Sequence, residues 1–294
     1  MRAVVLLNHR SRGGARPPLS RMLRAFRDGG WEAEIWAGEG SLWTLAAARR
    51  AAASGVDAIF GAGGDGMLAA MLPALVDNDT ALGVVPLGTG NVWARELGLP
   101  LDPAAAITAQ LQQPARRVDI GRLNHEPFLV VASAGLDARI VEVVESSMKG
   151  LGQAAYPLAS LGLLGEVRGA RCRVTLDGEQ IELPLLGAVI TNGRLYGGLV
   201  PLVPEARVDD GVLDVVLFEG TDPFQLAAHV ARVLAGQHHR DANIHLCQAR
   251  SINIVSRDRP LPLQADGDLK GTTPAEISVE ARAVRALGVT GRGV

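Results

Sequence analysis

A chain of 294 residues is long enough for two domains, each with its own core. Apolar residues make up 48% and charged residues 20%, which excludes a disordered or low-complexity protein. A net charge of −2 excludes a general nucleic-acid binder, because counterion release needs a basic surface. The cations are nearly all arginine, with lysine only at Lys149 and Lys270. Cys172 and Cys247 have neither metal-ligand nor disulfide spacing and read as buried free thiols of a reducing compartment. No stretch approaches the roughly 20 apolar residues of a membrane span. The expectation is a cytoplasmic protein whose membrane contact, at the inner surface, is peripheral.

The first apolar run, Ala3–Leu7, is too short for a secretory signal and reads as a strand. A helix follows at Leu19–Asp28, a strand at Glu32–Trp36, a helix at Trp43–Ser54, a strand at Ala58–Phe60, a helix at Met67–Val76 and a strand at Leu82–Val85. This alternation predicts a doubly wound parallel α/β sheet. After Pro114 the pattern changes to short β segments: Arg117–Ile120, Phe128–Ala132, Arg173–Leu176, Leu185–Thr191, Val212–Phe218, Ser251–Val255 and Glu276–Glu280. Asp-Gly turns at 177–178, 210–211 and 266–267 punctuate them, as in a mostly antiparallel sandwich. Helical patterns interrupt at Gly135–Ser146, Gly152–Val167 and Pro223–Ala235. The division expected is 1–120 for the α/β domain and 121–294 for the β-sandwich-like domain, with the extreme C-terminus packing back on the first.

Two glycine-rich turns fall directly after predicted strands, at the sheet edge where ligands of such folds gather. Gly61-Ala-Gly63-Gly64-Asp65-Gly66 satisfies the loose dinucleotide template but follows the third strand and carries an acid. Asp65 there makes sense facing Mg²⁺ and phosphates, or taking a proton from an attacking hydroxyl. It equally reads as a cap for the helix near Met67. Pro86-Leu-Gly88-Thr89-Gly90-Asn91 precedes a short helix, Val92–Leu97, with Asn91 as its N-cap and Gly98 as its C-cap. The amides of that helix N-terminus are a usual setting for a phosphate. No P-loop pattern occurs, so backbone amides, Mg²⁺ and arginine would have to neutralise ATP.

With these motifs the chain resembles the diacylglycerol kinase catalytic family, which includes bacterial lipid kinases and sphingosine and ceramide kinases and is distantly related to NAD kinases. The resemblance rests on seven segments in order: Asn8–Gly14, Gly63–Met67, Pro86–Asn91, Ala134–Ala138, Thr191–Gly198, Asp209–Asp214 and Gln264–Asp268. It implies ATP and Mg²⁺ in a cleft between a nucleotide domain and a lipid domain. By motif position Asn8, His9, Arg10 and Ser11, then Gly63, Gly64, Asp65, Gly66, Met67 and Leu68, and Gly88, Thr89, Gly90 and Asn91 would meet ATP. Asp210 would hold Mg²⁺ with the carbonyls of Arg207 and Val212, an oxygen-only set suited to a hard cation. Without the family, Asp209-Asp210-Gly211 reads as a hairpin turn.

The resemblance makes Asp268, in place of the usual glutamate, the general base, with Asp65 as the alternative. Met67 stands where the family has threonine and Val92 where many diacylglycerol kinases have aspartate. The function implied is transfer of the γ-phosphoryl group of ATP to an alcohol group of a lipid such as diacylglycerol or a sphingoid base. An NAD kinase-like enzyme, another small-molecule kinase and a catalytically weak nucleotide-binding regulator remain as alternatives. Leu151–Leu164 is apolar enough to line an acyl-chain pocket or touch a membrane, although its helical spacing favours a core helix. His238 and His239 lack ligand-spaced neighbours and read as surface or core residues. A homodimer is compatible with all of this.

Overall fold

The computed structural model describes residues 1–8, 18–136, 138 and 168–290. The first region runs β1 (Arg2–Asn8), α1 (Leu19–Asp28), β2 (Glu32–Gly38), α2 (Ser41–Ala53), β3 (Ala58–Gly63), α3 (Asp65–Leu75) and β4 (Ala81–Pro86). The four strands are parallel in the order β2-β1-β3-β4. Strand alternation sends each side chain to one of two cores. Val4, Leu6, Ile59 and Val84 meet Ala48 of α2 and Leu68 and Leu72 of α3 on one face. Val5, Leu7, Phe60 and Val85 meet Met22 and Phe26 of α1 on the other. Burial on both faces explains the nearly unbroken apolar runs of these strands.

Beyond β4 lie α4 (Val92–Glu96) and α5 (Pro103–Leu111). α5 is not among the helices expected from the sequence, although Asp102 accepts the Ala105 amide as its N-cap and Pro103 opens the helix. Buried Gln110 of α5 extends the edge of β4, accepting from Val84 N at 2.9 Å and donating to Val84 O at 2.7 Å.

The second region comprises β5 (Arg116–Leu123), β6 (Glu126–Phe128), β7 (Val131–Gly135), β8 (Ala170–Leu176), β9 (Glu179–Thr191), β10 (Leu195–Tyr196), β11 (Val200–Pro201) and β12 (Leu213–Glu219). It continues with α6 (Pro223–Leu234), a 3-10 turn at His238–Arg240, β13 (Ile244–Ala249), β14 (Ser251–Ser256), β15 (Pro262–Ala265), β16 (Asp268–Thr272) and β17 (Ala275–Ala286). Pairing within it is antiparallel around a separate core that includes Phe128, Leu185, Val215, Ile252 and Ile277. The single strand expected over Phe128–Ala132 is two strands, because the amides of Leu129, Val130 and Val131 turn aside to the Asp266 carboxylate. β17 leaves this region alongside β5 and ends beside β4, with Ala286 paired to Leu82 and the Leu287 amide on Leu82 O at 2.9 Å.

The chain is therefore α/β, with a doubly wound parallel domain followed by a mostly antiparallel, sandwich-like one. Gly135 ends β7, Leu136 and Ala138 are helical, and the other residues of the two expected helices before Arg168, with the apolar stretch Leu151–Leu164, lie outside the described residues. Among the described residues no helix is long and apolar enough to cross a membrane.

Candidate active site

The two glycine-rich turns sit at the carboxyl ends of neighbouring strands, β3 and β4, and touch each other. Gly63 O accepts the amides of Leu87 at 3.0 Å and Gly88 at 3.1 Å. A Cβ on Gly88 would fall 2.4 Å from the α-carbon of Gly64, so glycine is required for this backbone-on-backbone contact. Asn91 closes the second turn in the left-handed conformation, φ 48°, with Oδ1 accepting from Gly88 N at 2.9 Å and Nδ2 donating to Gly88 O at 2.8 Å.

Those bonds occupy the Asn91 side chain, so it does not cap α4 as the sequence suggested. Asp65 does: its Oδ1 accepts the Trp93 amide at 3.0 Å. Nor does Asp65 cap α3, in which it is the first residue. A carboxylate thus occupies the α4 N-terminus, the place expected for a phosphate. Burial pushes the pKa of half-buried Asp65 up, against the lowering effect of the nearby amides of Val92, Trp93 and Asn91. Its other oxygen faces Gly90, where a Cβ would lie 3.2 Å from Oδ2.

Of the remaining nucleotide candidates, Gly66 and Thr89 are exposed at the turns, and a Cβ on Gly66 would meet nothing within 4 Å. Met67 and Leu68 are buried in the core, so a ligand at this turn meets their backbone and not their side chains. Asn8 ends β1 at the same sheet edge, and His9, Arg10 and Ser11 lie outside the described residues. Gly98, at φ 65°, follows α4 as expected, its amide bonded to Arg95 O at 2.9 Å.

Asp268 opens β16 and is exposed. Two residues earlier Asp266, which the sequence places at an Asp-Gly turn within the segment Gln264–Asp268, holds the backbone of three other residues. At φ 46° it accepts the amides of Leu129 at 2.6 Å, Val130 at 2.9 Å and Val131 at 3.0 Å. Burial raises its pKa to about 6 despite these three donors, and the negative charge of Asp65 adds to the rise. The β15–β16 hairpin thus brings a second carboxylate within electrostatic reach of the first.

The Asp209-Asp210-Gly211 segment is not a hairpin turn, because β11 pairs with β10 while β12 pairs with β9 and β13. Gly211 N donates to Oδ2 of the fully buried Asp119 at 2.6 Å, and Asp210 Oδ1 accepts from Val212 N at 3.2 Å. Arg207 engages Asp209 at 3.2 Å. Burial raises the pKa of Asp119 and of Asp214, and the charge of Asp210 adds to both. Among the described residues no group of three or more His, Cys, Asp or Glu side chains is placed to hold a metal.

At the far end of α4, Glu96 reaches into the second region. Its Oε1 accepts from Arg194 Nε at 3.0 Å, its Oε2 from Leu195 N at 2.9 Å, and its carbonyl from Arg194 Nη2 at 2.8 Å. The pair is buried, with side-chain exposures of 4% for Glu96 and 15% for Arg194. No sequence rule signalled it, because the partners are 98 residues apart. Lys270 pairs with Glu126 at 2.7 Å. Burial pushes the Cys172 thiol up to about 11 and raises that of Cys247 too, so both are poor nucleophiles at neutral pH.

The chain is similar to known proteins along nearly its whole length. Residues 2–123 match the family described as the diacylglycerol kinase catalytic domain, and residues 130–288 match the YegS C-terminal NAD kinase beta sandwich-like domain. A diacylglycerol kinase of Mycobacterium tuberculosis is 31% identical over 244 residues, covering 81% of this chain and 78% of that one. The chain belongs to this lipid kinase family. A diacylglycerol kinase of Bacillus subtilis is 29% identical over 262 residues, 88% of this chain and 86% of that one. A Pseudomonas aeruginosa protein named probable lipid kinase YegS-like is 41% identical over 180 residues, 59% of each chain. The crystal structure of a diacylglycerol kinase from Bacillus anthracis superposes with a TM-score of 0.74 at 19% identity, covering 100% of this chain and 98% of that one, a likeness of fold alone. Membership makes the chain a kinase and implies ATP as phosphoryl donor.

Proposed function

We propose that this kinase transfers the γ-phosphoryl group of ATP to a hydroxyl of a membrane lipid, a diacylglycerol or a sphingoid base. The observation that carries the reading is the Asp65 carboxylate, held by the Trp93 amide beside the contact of two backbone-lined turns. The turns offer amides and close backbone approach, which suits phosphates in a chain without a P-loop lysine. In the reaction the acceptor oxygen bonds to the γ-phosphorus as the bond to the bridging oxygen of ADP breaks, and the hydroxyl proton passes to a carboxylate. We assign that proton to Asp65, whose basicity burial increases. Asp268, exposed on its hairpin, is the alternative acceptor.

The loop at Arg207, Asp210 and Val212 fits a hydrated Mg²⁺. Its donors are oxygens, it lies among carboxylates whose pKa values are raised, and its arginine is engaged by Asp209. Bound there, the ion would neutralise charge and fix the loop on Asp119. The reading places the protein at the inner membrane surface as a peripheral enzyme. A radiolabelled-ATP screen of diacylglycerol, monoacylglycerol, sphingoid base, ceramide, phosphatidylglycerol and NAD, run beside Asp65→Ala, tests it. Transfer to a lipid that vanishes in the variant supports the proposal, and transfer to NAD alone would overturn it.

A further inference from the structure

The β10–β11 hairpin lies against α4, whose Trp93 amide is held by the Asp65 carboxylate. Leu199, at its tip, is 58% exposed, although a large aliphatic side chain gains by burial. The hairpin is nonetheless firmly held. Its base is fixed by the buried Glu96–Arg194 pair and by the Leu195 amide on Glu96. Gly193 lies so close that a Cβ would fall 2.9 Å from Glu96 Cδ. At the tip Gly198, φ 75°, lies against α4: a Cβ there would be 2.8 Å from Arg95 Cδ and 3.5 Å from Val92 Cγ2.

Val92 connects this tip to the chemistry. Its Cγ2 would be 3.6 Å from a Cβ on Gly90, and the same Cβ would be 3.2 Å from Asp65 Oδ2. Asp65, Gly90, Val92 and Gly198 therefore form one continuous row, with Leu199 next in the chain. The row passes from a carboxylate to an apolar side chain within a few residues. That is the polarity profile of an acceptor whose hydroxyl is attached to hydrocarbon.

We propose that Leu199 is a specificity-determining residue: it contacts the hydrocarbon chains of the acceptor beyond its hydroxyl-bearing head, on a hairpin that Glu96 holds against α4. The inference rests on the lipid-kinase reading and deepens it. Removing one apolar contact from such a pocket changes discrimination by about 10-fold or more. The test measures the wild type, Leu199→Ala and Leu199→Asp against the preferred lipid in mixed micelles, and against a short water-soluble alcohol bearing the same head. The ATP KM is measured in parallel.

The expected result is a lipid KM raised about 10-fold or more in Leu199→Ala and further still in Leu199→Asp. The ATP KM and kcat/KM for the short alcohol should stay within about twofold of wild type. An unchanged lipid KM in Leu199→Asp overturns the proposal, and so does an equal loss toward both acceptors. Because Leu199 is exposed, both variants should fold, and matching far-ultraviolet circular dichroism confirms it. If the wild type phosphorylates no lipid at all, the functional reading itself fails. A wild type active on lipid beside an indifferent Leu199→Asp removes this inference alone.

Discussion

Asp65 and Trp93 lie on different helices, yet the carboxylate of one accepts the backbone amide of the other at 3.0 Å. The bond makes α4 an extension of the first glycine-rich turn. Substitutions can tell this cap apart from the proton-accepting role proposed for Asp65. Asp65→Asn keeps a carbonyl oxygen for the Trp93 amide but loses the base, so kcat should fall on the order of 10²-fold or more. Its melting temperature should change little. Asp65→Ala loses the cap as well, at about 1 kcal/mol of stability. Steady-state kinetics and calorimetry on both variants check this, and wild-type kcat in Asp65→Asn would end the assignment.

Asp266 predicts a pH dependence of stability. Its folded-state pKa of about 6 lies above that of an ordinary aspartate, so between those values the folded protein holds a proton that the unfolded chain has released. Stability from this group is fully present below pH ~4 and lost as pH rises through about 6. Compared with Asp266→Asn, the wild type should therefore lose on the order of 2 kcal/mol between pH 4 and pH 7. Urea titrations across that range decide it, and a difference that does not vary with pH would count against the assignment.

The Glu96–Arg194 pair predicts an asymmetry between single and double substitutions. Either Glu96→Gln or Arg194→Met leaves a polar or charged partner buried, which costs roughly 3–5 kcal/mol. Combining Glu96→Gln with Arg194→Met should recover part of that loss. A double-mutant cycle in guanidinium measures it, and additive losses would show that the pair is not coupled.

The two turns should respond oppositely to alanine. Gly88→Ala drives a Cβ to 2.4 Å from the Gly64 α-carbon and should destabilise by roughly 1–3 kcal/mol. Gly66→Ala meets open space inside α3, so the melting temperature should hold or rise. If phosphates approach this backbone, Gly66→Ala should still raise the ATP KM. Titration calorimetry with ATP, beside thermal melts, separates the two effects.

At the Asp210 loop, Asp210→Asn should raise the Mg²⁺ concentration needed for half-maximal activity several-fold. A magnesium titration at fixed ATP·Mg²⁺ measures the shift, and an unchanged curve would remove Mg²⁺ from this loop.

Much of the fold was legible because strand and helix periods differ. The runs at Ala3–Leu7 and Leu82–Val85 are apolar on both faces, and α1 was legible to the residue. Short strands such as β10, β11 and β16 gave no periodic signal, since two to five residues cannot establish one. Asp266 was visible as a turn residue and as part of the segment Gln264–Asp268, but not its grip on Leu129, Val130 and Val131, which spans about 136 positions. Asn91 was placed correctly at the head of α4, but its side chain serves Gly88, a choice that depends on where Asp65 lies.

The sequence by itself determined the alternation of the first half, the two glycine-rich turns after β3 and β4, and the order of the motifs. These are local properties, set by side-chain period and backbone freedom. Only the tertiary structure decided which groups meet: Asp65 with the Trp93 amide, Asp266 within reach of Asp65, Glu96 with Arg194. Such contacts arise when packed elements bring distant residues within hydrogen-bonding range, and no spacing along the chain records them.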